Sequence, residues 1–481
     1  MNRTVAMNNS EKLDRITEGK GTLRAKYRMY RFQLVAAFRS AQARRSLFKC
    51  FWRQGVGMTK PTIVAVTARE IVDCRLEPTL RVTVETNSGV VGQADVPAGR
   101  STGVHEATEL RDGDERYDGK GVKRAVENVE EVIAPALRGM DPTNQSLADE
   151  RLLELDGTPD KSCLGGNALT GTSLAVLKAG ANASGLPLYR YVGGADTTVL
   201  PIPLFDMIEG GELASTDLAF QEHQVLPVGA SSFSEALRMC AEVYYELADV
   251  LREKWGESSL NVGYEGGYTP TGMTDPRDAF DAELKAIGEL GYEDDFALGL
   301  DIAASHFYDP EDETYELMNQ RMSRDEMIEF YEELTSSYPL VTIEDPLEEN
   351  DFEGCAELTR ALDVQVIGDD LFVTSPDRLE HGIREGVANS LLLKVNQIGT
   401  VTESLKAADL AMKNGYTVQV SERSGQTADT WLADLAVGLG TGQIKTGVSR
   451  SERTEQYNRL LRIEDELGNA AIYPEWREGY L

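Results

Sequence analysis

Residues 364–394 read VQVIGDDLFVTSPDRLEHGIREGVANSLLLK, and their reading decides the fold. VQVIG is a short, largely apolar run that leads into Asp369. TSPDRLEHGI opens a helix, with Ser375 as its cap and Pro376 as its first residue, where a missing N–H costs nothing. SLLLK is a core-like run that ends at Lys394, a residue a core should refuse. Buried strand, helix and buried strand in succession predict parallel strands joined by a helical crossover.

The unit recurs. FALGLD ends at Asp301, LVTIED contains Glu344, YTVQVSE ends at Glu422 and GQIK ends at Lys445. From Glu344 the charged residues follow at intervals of 25, 25, 28 and 23 residues. Strands apolar along their length are buried on both faces. Six such units favour a closed β/α barrel over an open sheet, and in such barrels the C-terminal strand ends face the active site. A single charged residue after a strand is ordinarily a solvated loop residue, but six in register would converge on a ring. Asp301, Glu344 and Asp369 on adjacent strands would repel one another without a cation. Hard oxygen donors suit Mg²⁺, whereas zinc would want the His or Cys that these positions lack. A lysine beside a bound dication loses proton affinity, so Lys394 is expected to be neutral and to act as a base.

The preceding segment has another pattern. From Thr79, LRVTVETNSGVVGQADV alternates around NSG as a hairpin, and helical stretches follow, as in a small α+β domain. The expected division is 58–198 for this domain and 199–481 for the barrel. SSFSEALRMCAEVYYELADVLREKW reads as a long helix opened by a capping box of Ser232 and Glu235. Residues 1–57 stand apart, with 13 Lys and Arg against 3 Asp and Glu. They read as a disordered basic extension or a mis-assigned start; an Arg-rich targeting peptide fits the acidic body poorly.

The 481 residues carry a formal charge of −32, which disfavours nucleic acid and anionic membranes as partners. Such a surface is strongly solvated, of the kind halophiles use. No run approaches the ~18 apolar residues of a membrane helix. Five cysteines without a CxxC pair argue against a disulfide framework and for a reducing cytoplasm. With only four histidines, catalysis must rest mainly on carboxylates and lysine.

From about residue 62 to 467 the chain resembles the enolases, the phosphopyruvate hydratases. The matching motifs include STGVHEATELRDGD, GLPLYRYVGG, LPVGASSFSEALRM, EGGYTP, TIEDPLEENDFEG, GDDLFVT, LLLKVNQIGT, RSGQTADT, GQIKTG and SRSERTEQYNRLLRIEDELG. Lysine with Mg²⁺ is a pairing already known for enolase-superfamily sites. The resemblance implies an α+β capping domain on a β/α barrel, a homodimer or larger oligomer, and removal of water from 2-phosphoglycerate to give phosphoenolpyruvate in glycolysis. It implies that Lys394 takes the C2 proton, that Glu265 protonates the departing C3 hydroxyl and that Glu222 supports it. It implies Asp301, Glu344 and Asp369 as ligands of one Mg²⁺ and Ser101, in a mobile loop, as ligand of a second. Lys445 would meet the substrate carboxylate, and Arg423 and Ser424 its phosphate.

The departures from the family lie near this site. DSRGNPT reads DCRLEPT, SGAST reads AGRST with Ala98 and Arg100, and NGGEHA reads EGGELA with Leu213 for a histidine. GDEGG reads GYEGG with Tyr264, and SHRSG reads SERSG with Glu422 for another histidine. A carboxylate ~5 Å from a substrate anion costs about 3 kcal/mol per unit charge at an effective dielectric of ~20. Arg100 is expected to offset Glu422 by pairing with it or by reaching the phosphate. Besides the hydratase reading, the sequence leaves open a related Mg²⁺-dependent lyase acting on another carboxylate, and a non-catalytic paralogue.

Overall fold

The computed structural model describes residues 60–100 and 102–476. The whole basic extension at 1–57, with its Cys50, and Ser101 lie outside the described residues.

The expected hairpin forms. Strands β1 (Ile63–Val72), β2 (Pro78–Thr86) and β3 (Val91–Asp95) make an antiparallel sheet, with β2 and β3 joined through the NSG turn. Helix Gly166–Ser184 lies against it, buried over most of its length. The contact is close enough that a Cβ on Gly92 would collide with the Ala175 carbonyl.

Among the remaining described residues, eight strands build a closed barrel. These are β4 (Ile202–Glu209), β5 (Glu222–Leu226), β6 (Ala297–Asp301), β10 (Leu340–Glu344), β11 (Gln365–Gly368), β12 (Ser390–Leu393), β13 (Thr417–Ser421) and β14 (Gln443–Lys445). A side sheet of β7 (Tyr308–Asp309), β8 (Thr314–Leu317) and β9 (Gln320–Met322) interrupts the series. The six strands expected from the apolar runs are parallel and sit side by side from β6 to β14. They are buried almost throughout, as their lack of a polar face requires.

Two features differ from the sequence reading. β5 runs antiparallel to both β4 and β6, so the barrel is not wholly parallel. Two helices in succession, Phe233–Trp255 and Pro276–Leu290, then return the chain before β6 begins. The expected capping box is also only half formed: the Ser232 hydroxyl accepts from Glu235 N at 3.1 Å, but the Glu235 carboxylate turns to Ser231 N at 2.9 Å. The Ser375 cap and Pro376 start are present as read.

Among the described residues, no helix is long and apolar enough to cross a membrane. Cys74, Cys163, Cys240 and Cys355 are free thiols.

Candidate active site

Strand ends place the charged ring. Asp301, Glu344 and Lys445 close β6, β10 and β14, while Asp369, Lys394 and Glu422 each follow directly on a strand. All six are at most 8% exposed. Glu222 reaches the same end by another route. It opens the antiparallel β5, and the ladder sets it between Glu209 and Asp301. A search for charges at the C-terminal ends of strands misses it, and only the resemblance to the enolases pointed to it.

The Lys445 ammonium lies 2.9 Å from Asp301 Oδ2, 2.8 Å from both Glu344 oxygens and 3.2 Å from Glu222 Oε1. Burial alone would lower its proton affinity, but these acids raise it well above that of an ordinary lysine. The ammonium is a stand-in for a cation: acids from neighbouring strands already converge on a point of positive charge. Burial and the adjacent Asp301 push Glu344 well above the usual carboxylate range. Such a donor set fits a hard divalent metal held by Asp301, Glu344 and Asp369. The tightest acidic triads among the described residues are Asp345 with Asp369 and Asp370, and Asp206 with Glu222 and Glu265. Asp301 and Glu344 fall outside these triads, and their oxygens meet Lys445. Asp345 holds the Asp369 loop, accepting from Asp369 N at 2.9 Å and Asp370 N at 2.7 Å.

Lys394 Nζ lies 2.5 Å from Asp369 Oδ2. Burial lowers its proton affinity, Asp369 raises it, and the net direction is up. The neutral amine expected from the sequence is therefore not what these residues produce by themselves. Nearby, Gln397 Nε2 donates to Asp369 Oδ1 at 2.7 Å, and Thr374 Oγ1 accepts from Lys394 N at 2.9 Å.

Glu265 sits in the turn between the two successive helices and is 4% exposed. Glu209 fixes that turn, accepting from Glu265 N at 3.1 Å and Gly267 N at 2.6 Å. The sequence reading recorded the EGG departure but gave Glu209 no role. Asp206, on the same strand, is fully buried with both carboxylate oxygens unpartnered. Burial, then Glu209 and Glu222, push it well above the carboxylate range. Burial and the neighbouring Glu265 and Asp301 outweigh Lys445 at Glu222, which is pushed up to about 7.

Arg423 and Ser424 follow β13 and meet the loop at 97–106. Arg423 is paired with Glu106 at 2.8 Å, and the Ser424 hydroxyl accepts from Arg100 N at 2.9 Å and lies 3.5 Å from Arg75 Nη1. Ser101, between them, lies outside the described residues.

The structure corrects the expected partner of Glu422. The Arg100 side chain is 44% exposed, lies 5.3 Å over the Tyr264 ring and faces Glu212 at 3.6 Å. The cation at Glu422 is Arg453, from helix Ser451–Leu467, in direct contact with Oε2 and wholly buried. Thr446 Oγ1 donates to the same oxygen at 3.0 Å. The SRSER motif that carries Arg453 was visible in the sequence but had no role attached to it.

Comparison with known proteins agrees with this geometry. The family model described as "Enolase, N-terminal domain" matches residues 63–192, and "Enolase, C-terminal TIM barrel domain" matches 197–479. The enolase of Methanopyrus kandleri is 55% identical over 418 residues, covering 86% of this chain and 98% of that protein. That of Pyrococcus furiosus is 52% identical, covering 85% and 96%, and that of Methanocaldococcus jannaschii 50%, covering 84% and 95%. Matches of this length and identity, over a barrel whose strand ends carry the acids and lysines just described, mean that the chain belongs to the enolase family, the hydro-lyases that convert 2-phosphoglycerate to phosphoenolpyruvate.

Proposed function

We propose that the chain dehydrates 2-phosphoglycerate with Lys394 as base and Glu265 as acid, using Mg²⁺ as its divalent metal. The convergence of Lys394, Lys445, Asp301, Glu344 and Asp369 at one end of the barrel carries the reading. When bound by Asp301, Glu344 and Asp369, the metal supplies positive charge for the substrate carboxylate and for the charge that builds up as the α-proton leaves. Ser101 would add a ligand to a second ion.

Lys394 accepts the C2 proton at Nζ. Its stem rises from a buried, hydrogen-bonded backbone, so the amine is aimed rather than free. Lys445 faces the substrate carboxylate. Arg423 and the Ser424 hydroxyl face the phosphate, and Arg423 exchanges its hold on Glu106 for that anion. Glu265 gives its proton to the departing C3 hydroxyl, with Glu222 beside it. Burial of both carboxyls excludes water from the transfer, and burial raises the proton affinity of the neighbouring Glu222. The sheet and helices at 58–198 cap the barrel and bring the 97–106 loop to the mouth.

The same reading places the protein in the cytoplasm as a homodimer or larger assembly, adapted to high salt by its charge of −32. The test is phosphoenolpyruvate absorbance from purified protein at high KCl with Mg²⁺ and 2-phosphoglycerate, lost on chelation and restored by Mg²⁺. Metal binding without turnover would favour a related lyase with another carboxylate substrate; neither binding nor turnover would favour a non-catalytic paralogue.

A further inference from the structure

Glu422 stands where the family resemblance expects a histidine, and its surroundings are unlike those of a solvated acid. Its side chain is 1% exposed and that of Arg453 is 0% exposed. One carboxylate oxygen, Oε2, takes both the Arg453 guanidinium and the Thr446 hydroxyl. The other, Oε1, has no partner other than a carboxyl, and Glu265 Oε2 is in the same position. The two carboxyls lie within hydrogen-bonding reach of each other. The backbone brings them there: a Cβ on Gly447 would crowd Glu422 Oε1 on one side and the Glu265 carbonyl and Cβ on the other.

Two carboxylate oxygens cannot hydrogen-bond each other unless one carries a proton. Two buried like charges at contact would also be strongly unfavourable, so a pair of this kind binds one proton between its members. We propose that Glu422 is a positioning residue for the acid: its carboxylate, charged against Arg453, shares one proton with Glu265 and holds that proton on Glu265 until the C3–oxygen bond breaks. The inference rests on the reading of Glu265 as the acid.

The neighbours set the direction. Arg453 touches Glu422 and not Glu265, so negative charge is best placed on Glu422 and the proton on Glu265. The remaining groups facing the pair are mostly acids. Asp206 and Glu209 from β4 and Glu222 from β5 face Glu265. Tyr457, on the same helix as Arg453, faces Glu422, while Glu452 and the Cys74 thiol face Arg453. Lys445, on β14, faces Glu222 at 3.2 Å. Burial and the contact with Glu265 raise the proton affinity at Glu422 despite Arg453. Because the two carboxyls titrate together, that raised affinity belongs to the pair, while the Arg453 contact decides which member carries the charge.

The step balances. The C3–oxygen bond breaks with its electrons on oxygen, which takes the shared proton and leaves as water. The pair is left with two negative charges, one of them against Arg453. Lys394 has taken the C2 proton. It releases a proton to solvent and the pair regains one, so the net change is one water lost.

The experiment is Glu422→Gln, which keeps the shape but can neither take nor give a proton. Two rates are read with 2-phosphoglycerate in heavy water: deuterium entry at C2 of unreacted substrate, and formation of phosphoenolpyruvate. Elimination is expected to fall about 10²-fold, the lower end for a general acid, with exchange retained. The alkaline limb of the elimination profile is expected to move to lower pH, because the amide would donate to the Glu265 carboxylate and favour its charged form. Equal loss of both rates marks a merely structural role and overturns the proposal, as does no loss in either. A parent protein that neither exchanges nor eliminates overturns the functional reading instead. Should Glu422→Gln not fold, infrared spectra of the parent and Glu265→Gln decide. A protonated-carboxyl carbonyl band present at neutral pH in the parent and missing in Glu265→Gln is expected, and no such difference overturns the pair.

Discussion

Around the barrel mouth, the arc from β10 to β14 sets acids against bases, whereas the arc through β4 and β5 sets carboxyls against one another. On the first arc Asp369 meets Lys394, Glu344 meets Lys445, and Arg423 meets Glu106. On the second, Asp206 has no partner for either oxygen, Glu265 leaves Oε2 free of donors, and Glu222 is pushed up to about 7. Acids set against ammonium and guanidinium groups present opposite charges at contact and suit the binding of ions. Crowded, desolvated carboxyls hold protons near neutrality and suit proton delivery. One mouth thus divides into a side of ion pairs, which carries the base Lys394, and a side of crowded carboxyls, which carries the acid Glu265.

The largest expected effect tests the first arc. Lys394→Ala should abolish both deuterium exchange at C2 and phosphoenolpyruvate formation, by roughly 10⁴-fold, the upper range for a general base. Unchanged exchange would remove Lys394 from its role and break the comparison. Next, Glu265→Gln should lower elimination by roughly 10²–10³-fold while exchange continues. Loss of exchange as well would mean that the two arcs do not act separately.

Smaller effects concern support. Glu209→Ala leaves the N–H groups of Glu265 and Gly267 without their acceptor. It should cost about 1–3 kcal/mol in stability, read by denaturant unfolding, with Glu209→Gln recovering part of the loss. Glu283 offers a contrast on the outer helix Pro276–Leu290: a buried carboxyl with both oxygens unpartnered, pushed well above its ordinary value by burial. Its folded-state proton affinity exceeds that of the unfolded chain. Its contribution is therefore complete below the unfolded pKa and is lost as pH rises toward the folded one. Glu283→Met should stabilise the protein by about 1 kcal/mol at neutral pH, with less gain in acid and turnover unaffected. Destabilisation at neutral pH would show that a crowded carboxyl is not a liability in this barrel.

The sequence made the paired arc legible. Apolar runs ending in a charge located β6 and β10 to β14, because burial on both faces removes any alternation and leaves the terminal charge conspicuous. Lys394, Asp301, Glu344, Asp369 and Lys445 were placed by that rule. The crowded arc escaped it. Glu222 begins its strand instead of ending it, Glu265 lies on no strand, and both entered only through the family resemblance. Arg453 was missed for a different reason. A partner for Glu422 was sought in the loop bearing Arg100, but the partner came from the C-terminal helix, and separation along the chain carries no information about such contacts. Lys394 shows the limit of residue-by-residue chemistry: proximity to Asp369 raises its proton affinity where a neighbouring cation was expected to lower it.

The reversal of β5 bears on how such a catalyst can change. In a wholly parallel barrel every reactive group is carried by a strand-to-helix junction, whose length is tied to the register of the ladder. Here Glu265 hangs from a link between helices Phe233–Trp255 and Pro276–Leu290, anchored by Glu209 and by a single backbone bridge from Tyr268 to Ile208 rather than by a strand of its own. Insertions or deletions there can shift the proton donor relative to the base while the strands stay in step, giving evolution a route to new substrates that leaves the scaffold intact.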